Sequence, residues 1–184
     1  MIDPKAEYQK TFTEVTGLEG GYGNNKNDSG GATKFGCTEA VARANGYNGK
    51  MQDMTIGDVC KIFKSQYWDE LKGDQICVLS PKISHELFDT GINMGTGRAG
   101  TFLQRALNVL NMKGTLYADM KVDGQIGPMT VASLKAFLDR RGAEGEKVIL
   151  RMLNGQQCVK YIEFAEANPT QEEFEFGWVA NRVD

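Results

Sequence analysis

Apolar positions recur at helical spacing through most of the chain. Tyr8, Phe12 and Val15 fall at i, i+4 and i+7, which predicts a helix with one buried face, stopped at Gly17. Thr38 is placed to cap a short helix ending at Asn45-Gly46. Thr55 with Asp58 has the form of a capping box ahead of Val59, Ile62, Phe63 and Tyr67 on one face. Ser80-Pro81 opens a helix carrying Ile83, Leu87 and Phe88, because proline is tolerated at a first helical position. Phe102, Leu103, Ala106, Leu107 and Leu110 form a continuous stripe. Pro128 opens a helix with Val131, Leu134, Phe137 and Leu138, and Val148, Ile149, Met152 and Leu153 begin another that runs toward Ala167. A short last helix is expected around Phe174 to Arg182.

No alternating run is long enough for a sheet of any size. The expectation is a mainly α protein with one glycine-rich insertion, a small β-hairpin or loop near residues 20–36. A small-residue seam near 93–100 divides the chain into two lobes, 1–93 and 94–184. Tyr67 and Trp178, being aromatics at helical spacing, are assigned to the core by default.

Composition narrows the class. With 184 residues, 41% hydrophobic and 24% charged, the chain can build one sizeable core or two small lobes sharing one. No apolar run approaches the roughly 18–20 residues of a membrane span, so stable membrane insertion is not expected. Met1 to Lys5 lack the basic patch and apolar core of a secretory signal, so synthesis in a cytoplasm is expected. Cys37, Cys60, Cys77 and Cys158 are scattered, and His85 is the single histidine. Zinc sites want paired ligands at short spacing, so four buried reduced thiols are expected and no metal site.

The net charge of −3 is unevenly spread: residues 163–184 hold six acids and one base, and residues 98–141 hold seven bases and three acids. The basic stretch is either a solvated helix face or a surface for an anionic polymer.

The glycine-rich stretch carries the candidate chemistry. Gly30-Gly31-Ala32-Thr33-Lys34 has the ingredients of a phosphate loop in the wrong order and no strand before it. A calcium loop counted from Asn25 places Gly36 where its glutamate belongs. Glycosidic bond cleavage suits the residues better. It needs one carboxylic acid to protonate the leaving oxygen and a second polar group at the cationic sugar carbon. Glu19 follows Leu18 at the end of an amphipathic helix, where apolar surroundings raise a carboxyl pKa, and Asp28 sits among polar and glycine residues that keep a carboxylate ionised. Thr33 is within reach of a water or sugar hydroxyl if the segment turns back on itself. On spacing alone, a solvated glutamate and an Asn-Asp-Ser-Gly turn are favoured over catalysis as the account of these residues.

Glu19-Gly20-Gly21-Tyr22, followed by Asp28-Ser29-Gly30-Gly31-Ala32-Thr33-Lys34-Phe35-Gly36-Cys37-Thr38, resembles the signature of glycoside hydrolase family 108. Phe102-Leu103-Gln104-Arg105-Ala106-Leu107-Asn108 and Val122-Asp123-Gly124-Gln125-Ile126-Gly127-Pro128-Met129-Thr130 resemble the peptidoglycan-binding half that accompanies it. The resemblance implies a lysozyme-like fold of two helical lobes, the first catalytic. It implies an N-acetylmuramidase of the endolysin type that cuts the β-1,4 bond between N-acetylmuramic acid and N-acetylglucosamine. Glu19 would then be the general acid, with Asp28 and Thr33 completing a phage-lysozyme-like triad whose Asp-to-Thr spacing is one residue shorter here.

Ser29, Phe35 and Cys37 depart from the family pattern without touching the acid. Tyr22, Asn93 and Arg98 are the candidate substrate contacts, the last two in a cleft between lobes. The implied partner is the peptidoglycan glycan strand, reached in the periplasm after release. No nucleic acid, metal or organic cofactor is implied, and a monomer is expected. A non-catalytic wall-binding module, a lytic transglycosylase, an amidase or peptidase, and a secreted antibacterial effector are the alternatives.

Overall fold

The computed structural model describes residues 2–17 and 32–183. Helix α1 (Pro4–Thr16) starts where the Asp3 carboxylate accepts a hydrogen bond from the Lys5 N–H at 3.0 Å, with Pro4 in its first turn. It ends at Gly17, whose φ of 64° lies in the left-handed region that favours glycine. A two-stranded antiparallel hairpin follows, β1 (Thr33–Lys34) and β2 (Cys37–Thr38), with Thr33 opposite Thr38. Its turn residues Phe35 and Gly36 both have positive φ, 51° and 76°, as tight hairpin turns require.

The caps read from the sequence are in place. Thr38 accepts from the Val41 N–H at the start of α2 (Glu39–Ala44). Thr55 and Asp58 form a reciprocal capping box on α3 (Ile56–Phe63). A π-helical turn (Lys64–Trp68) and α4 (Gly73–Leu79) come next, neither of them expected from the pattern. Ser80 caps α5 (Pro81–Met94) by accepting from the Ile83 N–H at 3.1 Å.

Gly95 alone joins α5 to α6 (Thr96–Leu110). The two helices expected after Pro128 abut as α7 (Pro128–Ala167), broken at Gly142, where φ is 56° and ψ is −145°. Helix α8 (Glu172–Arg182) closes the chain. The described residues are thus mainly helical with one small hairpin.

Two apolar clusters hold these elements. The first gathers Tyr8, Phe12, Phe63, Trp68 and Phe88 from α1, α3, the π turn and α5. Tyr8 lies 5.2 Å from Trp68 and 5.8 Å, edge-on, from Phe88, the tilted arrangement that aromatic quadrupoles favour. The second runs from Leu71, Ile83 and Leu87 through Leu103 and Leu107 to Leu134, Ile149 and Leu153, and so crosses the 93–100 seam without a break. Each fully buried leucine there contributes about 1.5–3 kcal/mol by apolar area.

The segment between α6 and α7 has no regular structure, yet it is hydrogen-bonded along its length by amide side chains of α6. Gln104 donates to the Asp123 carboxylate (2.9 Å) and the Gln125 carbonyl, and accepts from the Gly124 N–H at 2.8 Å. Asn108 exchanges two bonds with the Met120 backbone, and Asn111 donates to Asp119 at 2.5 Å. Residues 104, 108 and 111 share one helix face, so together they stand in for a neighbouring strand.

The expectation of four buried thiols is corrected. Cys37 and Cys77 are buried, while Cys60, packed at the edge of the first cluster, and Cys158 are partly exposed; all four are free. Tyr67 and Trp178 are half-buried, each packed at the edge of a cluster, and Trp178 stacks on Tyr161 at 5.2 Å.

Candidate functional site

A trough lies at the C-terminal end of α1, the helix that leads in sequence into the glycine-rich stretch. Glu14, Val15, Thr16 and Gly17 form one side, and His85, Glu86 and Asp89 of α5 form the other, with Arg182 of α8 at the end. This hollow encloses about 310 Å³. A second of about 350 Å³ shares Glu14, His85 and Glu86 and continues along α1 to Leu150 and Asn154 of α7. The sequence folds this way locally because Ile83, Leu87 and Phe88 turn one face of α5 inward, leaving 85 and 86 on its flank.

Asp89 anchors the floor. It is 7% exposed, and its carboxylate accepts from the Arg182 guanidinium at 2.5 Å and from the Gln157 amide at 3.3 Å. Gln157, fully buried, also donates to the Tyr161 hydroxyl at 3.2 Å. Burial, and next the Asp89 charge, push the Tyr161 pKa up, so this phenol stays neutral. His85 Nε2 lies 3.6 Å from a Glu14 oxygen on the opposite wall. Glu14, Glu86 and Asp89 face two basic side chains, His85 and Arg182, so the trough leans acidic.

The residues proposed from the sequence divide into groups. Glu19, Tyr22 and Asp28 lie outside the described residues. Thr33 is half-buried on β1, paired with Thr38, and does not line the trough. Asn93 is exposed on α5 and donates to the Asp89 carbonyl at 2.8 Å, one helical turn back. Arg98 lies on α6, over the Phe164 ring at 5.0 Å from its centroid, and lines a different groove, between α6 and α7.

Sequence reasoning missed Glu14, His85, Glu86, Asp89 and Arg182. Two signals were available: Asp89 directly follows the buried stripe of α5, and Arg182 is the one base in an acidic tail. Among the described residues no three His, Cys, Asp or Glu side chains converge as metal ligands, and no helix is long and apolar enough to cross a membrane.

Comparison with known proteins decides the family. Residues 12–95 match glycosyl hydrolase 108, and residues 98–183 match a family described as a predicted peptidoglycan domain. Residues 12–95 are a glycosyl hydrolase 108 domain. The hydrolase segment holds Glu14, His85, Glu86 and Asp89, whereas Asn154 and Arg182 come from the peptidoglycan segment, so both segments line the trough.

The fold of this hydrolase is also that of a solved structure, SagA of Brucella abortus. The two are 24% identical, with a TM-score of 0.68 over 96% of this chain and 89% of that one. No curated protein sequence matches the chain.

Proposed function

We propose that this glycosyl hydrolase is an N-acetylmuramidase that cuts peptidoglycan glycan strands, with Glu19 as general acid. The observation that carries the reading is the pairing, in one chain, of a glycosyl hydrolase 108 segment containing Glu19 with a predicted peptidoglycan segment. The trough supports it. Its wall ends at Gly17, two residues before Glu19, and its carboxylates Glu14, Glu86 and Asp89 make the surroundings negative. Like charges disfavour ionisation of a further carboxyl, which is what a proton donor near neutral pH needs, and they stabilise positive charge developing at a sugar carbon.

In this reading Glu19 gives its proton to the glycosidic oxygen. Asp28 steadies the oxocarbenium-like carbon or orients a water toward it, and Thr33 holds that water or a sugar hydroxyl. Tyr22 and Asn93 contact the glycan. Host-cell lysis of the endolysin type, by an enzyme made in the cytoplasm and acting on the wall after release, is the proposed biological role.

The test is digestion of purified peptidoglycan by wild type and Glu19→Gln, followed by mass spectrometry of the fragments. Wild type should release new reducing muramic acid ends, and the variant should lose at least about 100-fold of the rate while keeping its fold. Near-native turnover by Glu19→Gln would remove the acid from its role. Fragments ending in anhydro sugars would reassign the chain as a lytic transglycosylase, and the absence of any cleavage would leave a binding module.

A further inference from the structure

We propose that the groove between α6 and α7 is a second binding site, separate from the trough, that takes the anionic stem peptide of peptidoglycan; this rests on the peptidoglycan reading above. The groove encloses about 570 Å³, within the roughly 300–1,000 Å³ usual for ligand sites. Its floor and sides are apolar: Phe102 and Ala106 are buried, while Val109 (72% exposed) and Val159 (55% exposed) stand open to solvent on its edges. Gly155 leaves a gap in the α7 wall, and a Cβ placed there would meet nothing within 4 Å. No part of the described chain fills this space.

Charge selects the occupant. The rim carries Arg98, Arg105 and Lys160 against one carboxylate, Glu163, in a chain whose net charge is −3. Lys160 pairs with Glu163. No carboxylate among the described residues pairs with Arg98 or Arg105; Arg98 donates to the Met94 carbonyl and lies over the Phe164 ring, while exposed Arg105 presents its charge to the groove. An arginine presented this way forks onto a carboxylate. The ligand therefore has carboxylates spaced along a small apolar body. A stem peptide fits, with its alanine methyls for the floor and its free carboxylates for the rim.

A bare glycan fits less well. Sugars lay their C–H faces on open aromatic rings, and here the Phe164 ring is already covered by Arg98 at 5.0 Å and approached by Lys160 at 5.6 Å. Phe102, the aromatic residue in the floor, is 6% exposed. The groove lies wholly in the segment matched by the predicted peptidoglycan domain, so it would hold the wall by its peptides while the trough works on the glycan. Tethering of this kind raises the local concentration of glycan at the trough without any new contact there.

The test measures binding of a synthetic stem tetrapeptide to the full chain by amide chemical shifts and calorimetry, with Arg105→Glu and Gly155→Leu as variants. Arg105 is exposed on α6, and a side chain at Gly155 enters open space while removing a helix glycine, so both variants should fold. Thermal melts check that they do. Wild type should show shifts clustered on Arg98, Arg105, Gly155 and Val159, each variant should bind at least tenfold more weakly, and added salt should weaken wild-type binding. Shifts confined to the α1–α5 trough, wild-type affinity in both variants, or preferential binding of peptide-free glycan at the groove would overturn the proposal. Digestion of intact sacculi by wild type is scored separately. Its absence would overturn the hydrolase reading, whereas peptide binding is read without any turnover.

Discussion

Arg182 of α8 reaches across the molecule to grip Asp89 of α5, their charged atoms 2.5 Å apart and their positions 93 residues apart in sequence. The carboxylate is almost fully buried and has the Gln157 amide as its second donor. Removing one partner leaves the other charge desolvated, which is costlier than losing the attraction itself. Because the Arg182 side chain is 29% exposed, solvent recovers part of that cost. Asp89→Asn or Arg182→Met should each lower unfolding free energy by about 2–3 kcal/mol. The two should combine less than additively in urea titrations. Additive effects would mean the pair is not coupled.

Gly100 and Gly155 make opposite predictions for one substitution. A Cβ at Gly100 would lie 2.1 Å from the Gly124 carbonyl oxygen, backbone that cannot swing away, so Gly100→Ala should cost about 3 kcal/mol as the loop is forced off α6. At Gly155 the space is open, and alanine should add about 0.5–1 kcal/mol through helix propensity. Thermal melts of the two variants should move in opposite directions.

Acid should loosen the segment that α6 holds. The Gln104 amide, and next the Gln125 N–H, bond the Asp123 carboxylate and hold its pKa below the usual carboxylate range. A depressed folded pKa gives stability that is present above the unfolded value of about 3.9 and is lost as pH falls through the folded value. The stability gap between wild type and Asp123→Asn should therefore be steady from pH 7 to about 5 and close below about 4. A gap that persists into strong acid would show that shape, not charge, holds the loop.

Thiol labelling should separate the cysteines. Burial pushes Cys37 up to about 11, and burial together with the Asp74 and Glu7 charges raises Cys77. Both are inaccessible and protonated at neutral pH, and thiolate is the reactive form. Iodoacetamide at pH 7.5, read by peptide mass mapping, should modify Cys60 and Cys158 first and reach Cys37 and Cys77 only on unfolding.

Several helices were legible because they carry two agreeing signals, a periodic apolar face and a cap, while α6 was legible from its apolar stripe alone. Thr38, Thr55 with Asp58, and Ser80 with Pro81 all cap at the helix starts read from the sequence. Helix α4 was not legible, since it starts at Lys72 in the left-handed conformation with no side-chain cap, and Gly73 opens it for a tertiary reason. A side chain at 73 would collide with the Trp68 indole, at 2.3 Å. The turn read from Asp123-Gly124 was seen, but its partner was not. Gln104 and Asn108 belong to the other quoted stretch, and only the fold shows that the two stretches bind one another. The trough escaped notice for a similar reason, because Glu14, Asp89 and Arg182 come from three distant segments.

A single residue, Gly95, separates α5 from α6, and one apolar cluster passes over it. That arrangement argues against treating the hydrolase and peptidoglycan segments as interchangeable parts. Cut at the junction, the first segment would carry Ile83, Leu87 and Met94 naked into water, and the second would lose the surface on which Leu103 and Leu107 rest. Exchange between wall-degrading enzymes would therefore have to move the whole chain, or rebuild both faces of the joint together.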